Sequence, residues 1–367
     1  MELTILQEDL GKALAIAIRF VSSRGTLPIL GNFLLRGEKS KLKILSTNLE
    51  MSINMSVGAK IEKEGELTVP GKLLMEVVSN LNPGQITLIG EKEELKIVSN
   101  SFKGKLPTMP ANDFPNIPQS LDSKKSFSIA SKLLTDSLGK ILFSTSNDET
   151  RPVLTGVLFI FKGDVLSLVA SDGFRLSRKT IKLGKSLEEK RFVVPKNSVL
   201  EIIKAAKEES LEFELKEGDN QLIVKGGEVV ISTRLIEGVF PDFEKIIPVA
   251  LGTTVTVDKN DFVRGIKLAA VFAKVEGNII KLKVNEKGLE IESENAKSGA
   301  QVNVIEGKVE GANLEISYNY KFIEDFLAAV RGDTVQIKLI DSISASIFED
   351  PEDKDFLHLI MPVRVQS

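Results

Sequence analysis

Leu27-Pro28-Ile29-Leu30-Gly31 returns as Arg151-Pro152-Val153-Leu154-Thr155-Gly156, with the two prolines 124 residues apart. Val69-Pro70-Gly71-Lys72 returns 125 residues later as Val194-Pro195-Lys196-Asn197. Asp113-Phe114-Pro115-Asn116 is matched by Val239-Phe240-Pro241-Asp242, the prolines 126 apart. A third copy begins near Val255-Thr256-Val257, which mirrors Leu3-Thr4-Ile5 and Phe127-Ser128-Ile129. Several anchors at nearly one offset mark an internal repeat, and a repeat decides the fold before any local pattern does. The chain therefore reads as one module used three times, over 1–120, 125–248 and 252–367. Asn116 to Lys124 and Pro248 to Gly252 serve as the connections.

Each copy follows one plan. A short strand comes first, over Glu2 to Leu6, Lys125 to Ala130 and Thr253 to Asp258. A helix follows: between Glu8 and Val21 the residues Leu10, Leu14, Ile18 and Val21 recur at helical spacing, and Ser131 to Phe143 and Lys259 to Phe272 repeat the pattern. Alternating runs such as Gly156 to Phe161 and Val165 to Val169 read as strands with one buried face. The spacing predicts a second helix over Lys72 to Leu81, Lys196 to Lys207 and Tyr320 to Val330. Pro70 and Pro195 stand at its start, where a missing N–H costs nothing. Further strands, among them Gln85 to Ile89, Glu212 to Leu215 and Thr334 to Leu339, finish the copies. Strand runs broken by two separated helices give an α+β fold, mostly antiparallel sheet with helices on one face.

Enzyme chemistry is hard to find in this chain. It has no cysteine, which excludes disulfides and thiolate metal sites and suits a reducing compartment. Gly184-Lys185-Ser186 fails as a phosphate loop, because Lys179 stands where that loop needs a glycine. The single histidine, His358, lies in the apolar run Phe356 to Ile360 and is expected to be a partly exposed strand residue. Asp172-Gly173-Phe174-Arg175 reads as a tight turn after Leu166 to Ala170. The acidic run Glu349 to Asp355 lacks the mid-loop glycine of an EF-hand and reads as a solvated hairpin loop. No catalytic group, metal or cofactor is expected. Glu2, Glu8 and Asp9 at the N-terminus do not make a signal peptide, and no stretch reaches the ~18 apolar residues of a membrane span. The expected location is the cytoplasm.

The charge is unevenly placed. The net charge is −3, so the surface as a whole does not advertise a polyanion partner. The predicted helices nevertheless carry more basic than acidic side chains, including Lys12, Arg19, Lys72, Lys140, Lys196, Lys204, Arg264 and Lys267. Lysine is a good helix former on any solvent face. Repeated in three copies, however, the bias points to a shared surface for phosphates. None of these helices has the Arg, Asn and Gln cluster that reads base edges, so contact with DNA is expected to be independent of sequence.

Five segments together resemble the bacterial sliding clamps, the beta subunits of the replicative DNA polymerase. They are Leu27 to Asn32, Ser46 to Met51, Ala170 to Leu176, Phe240 to Phe243 and Ile360 to Arg364. The resemblance runs through the whole chain in order. It implies a processivity factor rather than an enzyme, with the DNA clamp fold. It also implies a head-to-tail homodimer whose six modules close into a ring around duplex DNA, with helices on the inner wall. Twelve helices at ~9 Å spacing span a circle roughly 34 Å across. Subtracting about one ~10 Å helix diameter leaves a hole of ~24 Å, wide enough for a duplex and its water.

The same resemblance implies a cleft for a short linear motif of the polymerase catalytic subunit, the clamp loader, repair polymerases and other clamp-motif proteins. The matching positions are Leu154, Ser171, Gly173, Phe174, Arg175, Leu176, Pro241, Lys245, Ile246, Ile343, Leu359, Met361, Pro362, Val363 and Arg364. Arg175 and Arg364 are expected to orient the peptide. Phe174 stands where a histidine is common, Lys245 where an arginine is common, and Gln366-Ser367 extend past the usual end. Arg24 joins the DNA-facing residues, and Lys103 to Leu106 would meet Val271 and Phe272 of a second copy. Two rival readings are a monomeric repeat adaptor that binds peptides without DNA, and a metal-dependent nuclease using Asp172 or the acidic loop near Asp350.

Overall fold

The computed structural model describes residues 1–22, 27–248, 252–274, 277–295 and 299–364. Arg24, Gln366 and Ser367 lie outside the described residues. Among the described residues six α-helices appear in chain order: α1 Gln7–Ala17, α2 Gly71–Ser79, α3 Ser131–Gly139, α4 Lys196–Ala205, α5 Lys259–Ala273 and α6 Tyr320–Ala329. Each falls where the apolar spacing places it. α1 and α3 stop short of their predicted ends and are followed by the 3₁₀ turns Ile18–Phe20 and Leu142–Ser144. No described helix is long and apolar enough to cross a membrane.

Two compact units result, one from Met1–Lys132 with Leu200–Leu235, the other from Leu133–Val199 with Ile236–Ser367. The first holds two antiparallel sheets. One has five strands in the order Lys60–Lys63, Glu2–Leu6, Gln85–Gly90, Glu94–Val98, Lys103–Pro107. The other has eight: Phe127–Ala130, Ser210–Lys216, Gln221–Gly226, Val229–Arg234, Met51–Gly58, Lys41–Thr47, Asn32–Glu38, Gly65–Pro70. The register Val229↔Met55 to Thr233↔Met51 joins strands of the first two copies edge to edge. α1 buries Leu10, Ala13, Leu14 and Ala17, the i, i+3, i+4, i+7 stripe that lays a helix on a sheet. These residues share a core with Leu3, Ile5, Leu74, Val78, Ile86 and Leu88.

The second unit is built on a ten-stranded sheet. Its longest hairpin pairs Gly156–Ser171 with Arg175–Pro195, and Phe356–Ile360 then pairs with Arg175 to Lys179. α5 lies so close to the strands below it that a Cβ on Gly265 would meet Ile291 and Ile305 side chains at 2.8 and 2.9 Å. α6 buries Tyr320, Ile323, Phe326 and Leu327. The middle repeat is thus divided. Its short strands belong to the first unit and its long hairpin to the second.

Two expectations are corrected here. His358 is fully buried, not partly exposed: its ring stacks on Phe326 at 5.3 Å, and its Nδ1 lies 2.8 Å from Ser177 Oγ. Burial, helped by the positive charge of Arg175, pushes its pKa down to about 3, so it stays neutral at physiological pH. The acidic run is not uniformly solvated either. Asp350 is 1% exposed and accepts the backbone N–H groups of Arg331, Gly332 and Glu352 at 3.1, 3.2 and 3.1 Å.

Candidate functional site

The turn between the two strands of the long hairpin is held by its own side chains. Ser171 Oγ donates to the Arg175 carbonyl at 2.7 Å and accepts the Gly173 N–H at 3.1 Å. Asp172 Oδ1 accepts the N–H groups of Phe174 and Arg175 at 2.9 and 3.0 Å. Gly173 has φ +92°, a conformation that side chains disfavour. Short polar residues bonding to the backbone a few places on are the usual way to fix such a turn.

Beside this turn the second unit has a cleft of about 230 Å³. Leu154, Ser171, Gly173, Phe174, Arg175, Leu176, Pro241, Ile246, Leu359 and Met361 line it, all of them expected from the sequence. So do Phe240, Asp242, Phe243 and Ala345, which the site reading missed. The three missed residues at 240–243 belong to a quoted motif, and the repeat of Phe114 at Phe240 was the available signal. Ala345 carried no signal. Leu154, Leu176, Phe240, Phe243 and Leu359 are buried, while Phe174, Ile246 and Met361 are 59%, 48% and 38% exposed. A cavity of ~150 Å³ admits a benzene ring, so this one has room for a ring and an aliphatic neighbour.

Five expected members are not in the lining. Lys245 is drawn to Asp242 at 3.0 Å, with its side chain 82% exposed. Ile343 is 57% exposed. Pro362 and Val363 are half-buried and Arg364 is exposed. The Val363 N–H donates to the Ser317 carbonyl at 2.8 Å, and the Met361 N–H to the Phe174 carbonyl at 2.8 Å, which fixes the returning chain against the turn.

Arg175 does not have the role expected of it. Its Nε donates to Asp172 Oδ2 at 3.0 Å, its Nη1 to Asp325 Oδ2 at 2.6 Å and its Nη2 to the Phe143 carbonyl at 2.7 Å. A guanidinium committed on three sides, with its side chain 10% exposed, holds the wall rather than greeting a peptide. Asp172 is likewise taken by this arginine and by two N–H groups.

The first copy builds the same turn. Thr47 Oγ1 donates to the Met51 carbonyl at 2.9 Å and accepts the Leu49 N–H at 3.0 Å. Asn48 Oδ1 accepts from Glu50 and Met51 at 3.0 and 2.8 Å, and Leu49 takes φ +74°. The side chains differ: Glu50 stands for Phe174, Met51 for Arg175 and Ser52 for Leu176. Ser52 spends its hydroxyl on Ser232 at 2.6 Å. One backbone scaffold thus carries different side chains in its first and second copies.

Among the helix cations, Lys12, Lys72, Lys204, Arg264 and Lys267 are exposed and Lys196 is half-buried, bonded to Asn147 at 3.2 Å. Arg19 and Lys204 both reach Glu201, at 2.6 and 2.9 Å, and Arg264 pairs with Asp261. Lys140 corrects the sequence reading. It is 8% exposed, ion-paired with Asp353 and placed 5.4 Å from the Phe356 ring centroid, so it is part of the interior and not of a phosphate-facing wall.

Asp353 also takes Lys179, at 2.5 Å. Burial pushes the Asp353 carboxyl up, but hydrogen bonds from Lys140 and Lys179 outweigh it and hold the carboxyl below the usual range. A depressed folded-state pKa stabilises fully above the unfolded value near 3.8, and that contribution fades as the pH falls through the folded value. Asp353→Asn is therefore expected to destabilise the protein at pH 7 and much less at pH 2. Denaturant melts at both values check this; an equal deficit at both contradicts it.

At 103–107 and 271–272 the pattern is mixed. Lys103 is exposed, but Leu106 packs against the core of its own unit. Val271 is 62% exposed and Phe272 half-buried.

Comparison with known proteins now decides the family. The DNA polymerase III beta subunit models match residues 1–118 (N-terminal domain), 128–242 (central domain) and 244–364 (C-terminal domain). The chain belongs to the DNA polymerase III beta subunit family, the bacterial sliding clamps. The beta sliding clamp of Vibrio cholerae is 28% identical over 367 residues, covering all of both chains, and that of Escherichia coli K12 is 27% identical over the same length. The crystal structure of a Pseudomonas aeruginosa sliding clamp bound to griselimycin superposes with a TM-score of 0.93 at 28% identity over the whole of both chains. The Bacillus subtilis clamp gives 0.95 at 24% identity, also over both full chains, which supports the fold. As a sliding clamp, the chain has three homologous domains in the α+β clamp fold, and it is a processivity factor of DNA replication rather than an enzyme.

Proposed function

We propose that two copies of this chain close head to tail into a ring around duplex DNA, and that the cleft beside the 171–176 turn tethers the polymerase and its exchange partners. The observation that carries the ring is a pair of unlike open strand edges on one chain. Lys103–Pro107 ends the five-stranded sheet and, among the described residues, pairs only with Glu94–Val98. In Gly299–Glu310, residues 299–306 pair with Gly288–Asn295 on one side, while Thr253–Asp258 takes only 307–310 on the other. Open edges are templates for pairing with another chain. Two different edges make the contact heterologous, and such a contact must close into a ring or grow into a filament.

The side chains there support the pairing. Val302 and Val304 are 60% and 56% exposed, Val271 is 62% exposed, and Glu306 offers an acid for Lys103. Solvent-facing valines on an open edge strand offer a partner strand apolar surface to bury. Val271→Asp with Val304→Asp is expected to keep the fold and raise the dimer dissociation constant by at least ~100-fold, since an unpaired carboxylate in an apolar interface costs several kcal/mol. Sedimentation at micromolar concentration reads this directly. An unchanged dimer would place the interface elsewhere.

The DNA reading rests on Lys12, Lys72, Lys196, Lys204, Arg264 and Lys267, with Arg24 and Arg19 as further phosphate contacts. Loose phosphate attraction without base contacts allows sliding, and closure of the ring retains the DNA. The modules run over 1–120, 125–248 and 252–367, six to a ring. In the cleft, the apolar side chains around Leu154, Leu176, Phe240 and Met361 receive the anchor of an extended motif. Partners of this kind are the polymerase catalytic subunit, the clamp loader and repair polymerases, in the cytoplasm at the nucleoid.

A further inference from the structure

We infer that Asp325 and Phe322, on α6 and outside the cleft lining, are positioning residues that decide what the cleft accepts, by holding the Arg175 guanidinium away from it. The inference rests on the peptide-cleft reading above and deepens it. Arg175 belongs to the cleft wall, yet its guanidinium is held by groups of the protein itself. Asp325 takes Nη1 at 2.6 Å, Asp172 takes Nε at 3.0 Å and the Phe143 carbonyl takes Nη2 at 2.7 Å. The guanidinium carbon also lies 4.6 Å from the Phe322 ring centroid and 5.4 Å from that of Phe143. A flat, weakly hydrated cation gains from lying over rings and from forked contacts with carboxylates.

The grips differ in what they do. Asp172 is local and already fixes the turn through the Phe174 and Arg175 N–H groups. Asp325 and Phe322 are remote. They come from a helix anchored by the buried residues Ile323, Phe326 and Leu327, and Phe326 stacks on His358 of the strand that brings Leu359 to the cleft. α6 is thus fixed to the same strand as the cleft floor, and its outer carboxylate sets where the arginine cation sits. Without that carboxylate, the guanidinium loses a charge-assisted bond and becomes a cation at the edge of an apolar slot. Such a cation penalises an apolar anchor, which would desolvate it, and rewards an acidic one. Keeping it bound away from the slot rejects acidic peptides.

The test uses the full-length protein and two blocked peptides in fluorescence anisotropy, one with adjacent apolar anchors and one with aspartate replacing an anchor. For Asp325→Asn the apolar peptide is expected to bind about tenfold more weakly and the acidic peptide more tightly, with the gain fading in salt. Phe322→Leu should shift the ratio in the same direction, and Asp325→Glu should restore it. A purely structural role would weaken both peptides alike; an Asp325→Asn protein whose ratio is unchanged overturns the inference. Met361→Asp separates the two readings. If it weakens the apolar peptide while Asp325→Asn leaves the ratio alone, only this inference fails. If Met361→Asp has no effect either, the cleft reading fails with it.

Discussion

Met361→Asp is expected to weaken binding of an apolar clamp-binding peptide by ~100-fold or more while leaving the melting temperature nearly unchanged. A short motif with a few apolar anchors and a handful of hydrogen bonds binds with a dissociation constant on the order of micromolar. Met361 lines the cleft and is 38% exposed, so a polar side chain there does not disturb a core. In the bound state, however, the carboxylate is covered by the anchor among Leu154, Leu176, Phe240 and Leu359. Among the described residues that line the cleft the one cation is Arg175, and it is committed to Asp172 and Asp325. An unpaired buried charge costs several kcal/mol, and each ~1.4 kcal/mol is tenfold. Ile343→Asp, at a position the lining does not include, provides the control and should change affinity little. A Met361→Asp protein that binds as the parent does would move the peptide site elsewhere.

Asp350→Ala is expected to cost about 3–5 kcal/mol of stability. Three backbone N–H groups converge on this carboxylate, and Gly332 lies so close that a Cβ there would meet Asp350 Oδ1 at 2.5 Å. Alanine leaves those donors without a partner, at ~1–3 kcal/mol for the buried Gly332 N–H and less for the part-buried Arg331 and Glu352, and it also empties the space of a buried side chain. Hydration of the hairpin recovers part of that sum. Asp350→Asn keeps one oxygen and should fall between parent and alanine. Denaturant unfolding measures both, and an alanine variant as stable as the parent would show that the loop is solvated after all. The role is structural, which also removes Asp350 as the metal-binding acid of a nuclease.

Much of the fold was legible in the sequence because the repeat is local and periodic. Offsets near 125 residues paired the first two copies, the Val255 to Val257 strand pointed to a third, and i, i+3, i+4 spacing placed six helices within a few residues of their ends. Strand pairing across copies was not legible. The ladders joining Val229–Arg234 to Met51–Gly58 and Phe356–Ile360 to Arg175–Pro195 depend on partners far apart in sequence, and no local pattern encodes them. They divide the middle copy between two compact units.

Ten of the expected positions line the cleft, but Phe240, Asp242 and Phe243 were passed over inside one quoted motif, and Pro362, Val363 and Arg364 of another lie outside the lining. The site was also misread where a side chain's partner is distant. Arg175 looks like a free cation until Asp325, 150 residues on, is brought beside it. Lys140 looks like any surface helix lysine until Asp353, 213 residues on, removes it from solvent. His358 followed the same logic: an apolar strand hides a histidine completely once α6 covers it.

The central claim is topological retention on DNA, and one measurement tests it most directly. The protein is loaded onto nicked circular DNA with a clamp loader and ATP, separated from free protein by gel filtration in high salt, and then exposed to an enzyme that linearises the circle. A closed ring held by topology stays with the circle through the salt wash and runs off once an end exists. Retention on the linear product equal to that on the circle, or loss from the circle in salt alone, would show that affinity holds the DNA and would contradict the ring.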